Sequence, residues 1–145
     1  MSSQLNVDTI VDKAGSGGTN VKIGNTSTYV SEGGAVTQNT VQSLAKSWCR
    51  WENLSTASVL DSFNHSSFAD NGTGDNSITV TSAFLNVNYV HTGMAGGGNG
   101  NLAFIQQCES HVAATTTAAR YQSGYANDAL YDWGCLNVTL HGDLA

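Results

Sequence analysis

Asp70-Asn71-Gly72-Thr73-Gly74-Asp75, followed by the alternating Ile78-Thr79-Val80-Thr81, reads as a tight turn beside a strand. Asn-Gly supplies the positive-φ positions a hairpin needs, and Asp and Asn hydrogen-bond back to their own turn. Working outward, the predicted strands are Lys46–Asn53, Ser58–Phe63, Ser77–Ser82, Val87–Thr92, Leu102–Gln107, His111–Tyr121 and Gly134–His141. The alanines of Val112–Ala119 would allow a helix, but Thr115-Thr116-Thr117 are β-branched and favour a strand. Short strands at this spacing predict an all-β fold, an antiparallel β-sandwich of about seven strands.

Composition agrees. The chain has 145 residues, 16 Gly and no Pro, and only 11% are charged, against a usual share of about 25%. Ser, Thr, Asn and Gly take the remaining space; they disfavour helix interiors and suit turns and exposed strand faces. Eleven acidic residues against five Lys and Arg give a net charge of −6. That balance argues against neutralising phosphates, so no nucleic-acid partner is expected. No basic patch for anionic lipid, no signal peptide and no long apolar run are visible, so membrane insertion is not expected.

Residues 1–45 differ from the rest. Gln4–Ile10 and Asn20–Gly24 alternate as short strands, with breaks at Gly15-Ser16-Gly17-Gly18 and Gly33-Gly34. Tyr29 is the only aromatic there, so this segment cannot bury a core by itself. It reads as an extended N-terminal arm for attachment or oligomerisation, and residues 46–145 as the sandwich domain.

The chemistry-bearing residues are sparse. Cys49, Cys108 and Cys135 form no CxxC pair and the four His lie far apart, so no metal site is expected and the cysteines read as free thiols. Gly93–Asn101 lacks the lysine of a phosphate loop and reads as a flexible surface loop. Asp70–Asp75 lacks the ligand spacing of an EF-hand. No G-x-S-x-G or H-E-x-x-H occurs, so no catalytic residue and no cofactor are assigned, and the chain does not read as an enzyme. Alternation in Trp48-Cys49-Arg50-Trp51 sends the two tryptophans to opposite faces, one into the core and one toward a neighbouring subunit. The segment Tyr121–Trp133 sets rings that stack on sugars beside amides and carboxylates that chelate hydroxyls. Its candidate contact residues are Tyr125, Asn127, Asp128, Tyr131 and Asp132, with Gly124 letting the loop curve. The plainer alternative is a loop whose aromatics cap the core.

Lys46-Ser47-Trp48-Cys49-Arg50-Trp51, then Asp61-Ser62-Phe63-Asn64-His65-Ser66-Ser67, then Asp70-Asn71-Gly72-Thr73-Gly74-Asp75 resembles the distal domain of tailed-bacteriophage tail fibres. Ala83-Phe84-Leu85-Asn86-Val87-Asn88-Tyr89 continues the pattern, with Leu85 where the family usually has proline. Leu5-Asn6-Val7-Asp8-Thr9-Ile10 and Ala14–Asn20 look like the start of small virion proteins of marine and cyanobacterial phages. Together the matches cover about half the chain and leave residues from about Gly96 onward unmatched. The resemblance implies a non-catalytic virion structural protein, homotrimeric and assembled in the host cytoplasm with other virion proteins. It would lie exposed on the particle and contact a host surface glycan. The alternative is a capsid decoration (cement) or tail adaptor protein with no receptor role.

Overall fold

The computed structural model describes residues 28–30, 37–39, 43–96, 103–108 and 113–143. The chain divides into two compact units, Met1–Val41 and Gln42–Ala145. In the first, β1 (Thr28–Val30) pairs antiparallel with β2 (Thr37–Asn39), Tyr29 opposite Gln38. The strands expected at Gln4–Ile10 and Asn20–Gly24 and the glycine breaks lie outside the described residues.

The second unit is an antiparallel β-sandwich. Its strands are β3 (Ser47–Glu52), β4 (Ser58–Phe63), β5 (Ser67–Gly72), β6 (Asp75–Thr79), β7 (Val90–Gly96), β8 (Ala103–Gln107), β9 (Ala118–Tyr125) and β10 (Cys135–His141). They form two four-stranded sheets, ordered β4-β3-β10-β7 and β5-β6-β9-β8. Consecutive strands β4 and β5 are edge strands of different sheets, as are β7 and β8, so the chain changes sheet at both margins. No helix occurs among the described residues.

Period-two alternation builds the core. Cys49 and Trp51 from β3 and Leu136, Val138 and Leu140 from β10 meet Ile78, Ala119 and Tyr121 from the other sheet. Trp51 is 0% exposed and lies 6.0 Å from the Phe68 ring and 6.2 Å from that of Tyr121. Trp48, on the opposite side of β3, is half-buried, as the alternation required. A polar knot crosses the same interior. Trp51 Nε1–H and Asn53 Nδ2–H donate to Asn76 Oδ1 at 3.0 and 2.6 Å, which satisfies groups that would be costly to bury alone.

Several boundaries differ from the sequence expectation. The sandwich has eight strands because Ser67–Gly72 forms β5, hydrogen-bonded to β6, and the turn shrinks to Thr73-Gly74. Polar content hid this edge strand. Gly93–Gly96 is not loop but the end of β7; a Cβ at Gly93 would lie 2.7 Å from Asn137 O, so close strand packing explains that glycine. The rest of that glycine run lies outside the described residues. β7 begins at Val90 rather than Val87, because Asn86 Oδ1 accepts Asn88 N–H in a turn. Residues 113–117 are not strand: Thr115 Oγ1 accepts the N–H of Thr117 and of Ala118, a local alternative to the ladder.

Cys49, Cys108 and Cys135 are free thiols, the first two buried. Burial pushes the Cys49 thiol from 9.0 up to about 12, and burial likewise raises the Tyr121 phenol. The folded state holds both protonated after the unfolded chain ionises. Their stabilising contribution is therefore complete below about pH 9 and falls as pH rises from there toward 12. Denaturant titrations from pH 7 to 11 are expected to show stability declining above pH 9, with Cys49→Ala flattening part of the decline. A stability unchanged across that range would contradict the burial.

Candidate functional site

The segment leaving β9 is folded back by its backbone. Tyr125 N–H donates to Ala129 O at 2.9 Å and Asp128 N–H to Tyr125 O at 3.0 Å. Asp128 has φ 66°, a conformation Asp tolerates better than most residues, and Asn127 Oδ1 accepts Ala129 N–H. Gly124 serves close approach: a Cβ there would run into Ala129 O.

This fold-back brings three rings together. Tyr125 and Tyr131 have centroids 4.7 Å apart, and each lies about 5 Å from Trp133, at 5.0 and 4.9 Å with edge-on geometry. Trp133 is the buried floor, its Nε1–H donating to Gly124 O at 3.2 Å. Tyr131 is 38% exposed. Burial first, then the neighbouring Tyr131 hydroxyl, holds the Tyr125 phenol above its ordinary value.

The β5–β6 turn holds the segment in place. Gly74 N–H donates to Asp132 Oδ1 at 2.6 Å, and Gly74 O accepts Ser123 N–H at 2.7 Å. Tyr131 N–H returns to Ser123 O at 3.0 Å. Of the five predicted contact residues, the structure thus pairs Tyr125 with Tyr131 and leaves Asn127 and Asp128 exposed at the tip of the turn. Asp132 instead spends one oxygen on the scaffold. Trp133 and Gly74 were not singled out as site residues. The spacing Tyr131-x-Trp133 was the available signal, since extended residues two apart share a face.

Other polar groups hold the fold. Arg120 makes a two-point contact with Asp75, Nε to Oδ1 and Nη2 to Oδ2, both 2.6 Å. Asn64, with φ 52°, donates from Nδ2 to Lys46 O and Ser82 O and accepts Ser82 N–H at 2.7 Å, clasping three segments at the β4–β5 corner. Beside it is a cleft of about 460 Å³ lined in part by Leu44, Phe63 and His65. His65 Nε2 is buried without a hydrogen-bond partner, and burial holds that imidazole below its ordinary value. Among the described residues no group of three His, Cys, Asp or Glu is placed to hold a metal. In comparisons with known proteins, no family model, curated protein or solved structure matches the chain.

Proposed function

We propose that this chain is a bacteriophage virion structural protein of tail-fibre-like architecture: a homotrimer exposed on the particle surface that touches a host surface glycan through its Tyr125–Tyr131 end. One observation carries the reading. The residues that resemble the tail-fibre motif are the ones that make the corners of the sandwich. Asn64 clasps the β4–β5 corner, Asp70 Oδ1 accepts Gly72 N–H, and Gly74 docks on Asp132. The motif thus acts as a fold signature, and the half-buried Tyr125 beside the exposed Tyr131 is the chemistry left to meet a partner. Rings stack on the apolar faces of sugars while Asn127 and Asp128 offer polar contacts beside them. The acidic balance suits a neutral or cationic glycan, since like charge costs affinity at close range.

A specific observation favours the second reading, a capsid decoration or tail adaptor protein. Tyr125, Tyr131 and Trp133 pack on one another, as rings that finish a core do. The double variant Tyr125→Ala/Tyr131→Ala separates the two. Adsorption to host cells is expected to fall at least tenfold while trimer mass and melting temperature hold. Lost incorporation into particles, or lost thermal stability, would instead assign these rings a structural role.

A further inference from the structure

The outer face of the β4-β3-β10-β7 sheet has a composition that the proposed trimer explains. Strand register sets Phe63, Trp48, Thr139 and Thr92 in one row across it, and Asp61, Arg50, Asn137 and Met94 in the next. Phe63 is 54% exposed and Met94 61%. Large apolar side chains grouped on one face are unusual for a surface that stays in water, and Trp, Phe, Met and Arg are enriched at interface cores.

Charge identifies what covers the face. From Gln42 onward the chain carries eight acidic residues and three basic ones, Lys46, Arg50 and Arg120. Lys46 is buried and Arg120 is held by Asp75. Arg50 is exposed, so the outward-facing positive charge of this unit lies on this same sheet face, in the row beside Phe63 and Trp48. Its cross-strand neighbour Asp61 is exposed too, and the two are not ion-paired within the chain. Asp61 Oδ1 accepts Ser62 N–H at 2.8 Å instead. On this face Arg50 and Asp61 stand side by side, while Glu52, next along the same side of β3, accepts Ser58 Oγ–H, so each copy offers a neighbour one exposed cation and one exposed anion.

Resting on the trimer reading above, we infer that this sheet face is where copies of the chain join, with Arg50 of one copy paired to Asp61 of the next. Around a three-fold axis such a head-to-tail contact closes after three copies. Phe63 and Trp48 in the adjacent row, and Met94 at the far end of the pair's own row, supply the apolar burial around it.

Charge reversal tests the pairing on the full chain by sedimentation, with melting curves read in parallel. Arg50→Glu and Asp61→Arg are each expected to weaken trimer formation at least tenfold while keeping a cooperative β-sheet melt, since both sites are exposed. The double reversal Arg50→Glu/Asp61→Arg is expected to regain the trimer. It should not form mixed trimers with differently tagged wild-type chains, because mixed contacts set like charges together. A pair acting within one chain would mix freely, which would overturn the inference. Variants that stay trimeric would overturn the assignment of this face and leave the trimer standing. A monomeric wild type would overturn both.

Discussion

Trp51→Ala is expected to remove a large share of the sandwich's stability. Trp51 has no exposed surface and reaches from its own sheet to the opposite one, where its ring meets Phe68 and Tyr121. Truncating a buried aromatic to Ala costs about 3–5 kcal/mol, against a total stability of about 5–15 kcal/mol for a typical domain. The variant also loses the Nε1–H donor to Asn76, although Asn53 still donates to the same oxygen, so the carbonyl is not orphaned. Trp51→Phe separates the two contributions: it keeps most of the ring and loses the donor, at about 0.5–1.5 kcal/mol for the hydrogen bond. Urea unfolding followed by far-UV circular dichroism reads both. An alanine variant within about 1 kcal/mol of wild type, far below the usual truncation cost, would show that Trp51 is not the pillar of this core.

Gly74→Ala carries the second large effect, and it reaches the candidate site. Gly74 has φ 63°, which alone costs a residue with a Cβ about 1–3 kcal/mol when the surroundings enforce it. The surroundings do enforce it: the added carbon would meet Ser123 O and lie 2.8 Å from Tyr131 N. The β5–β6 turn must then withdraw, breaking the Gly74–Asp132 and Gly74–Ser123 hydrogen bonds that hold the aromatic segment. A lower melting temperature together with a loss of the near-UV signal of Tyr125, Tyr131 and Trp133 is expected. Gly72→Ala is the control, because a Cβ there meets nothing within 4 Å and only its backbone is strained. Equal near-UV changes in both variants would contradict the docking role of Gly74.

Sequence reading went furthest where alternation and burial coincide. Ser58–Phe63 has the predicted bounds, and β3 and β10 lie within one residue of theirs at each end. It failed where polar side chains occupy a strand exposed on an edge. Ser67–Gly72 carries Asp70 and Asn71, and its burial is too slight to leave an apolar stripe, so its turn residues outweighed its pairing. The threonines before β9 misled in the opposite direction: β-branching favoured a strand, but the Thr115 hydroxyl captures the backbone locally. At the candidate site the Tyr125–Tyr131 juxtaposition follows from residues near in sequence. The attachment of Asp132 to Gly74, 58 residues away, is a tertiary contact that no local pattern announces. The Trp51–Asn53–Asn76 knot is hidden for the same reason, since its members come from strands in different sheets or their ends.

The proposed role is most directly tested by where the protein resides. Mass spectrometry and cryo-electron microscopy of virus-like particles purified from cells that produce this chain would decide it. The chain is expected to co-purify with intact particles as external β-sandwich density in groups of three. Density confined to the tail would favour the fibre-like reading, and capsid-wide density the decoration reading. A chain found only in the soluble lysate and absent from particles would contradict the claim that it is a virion protein.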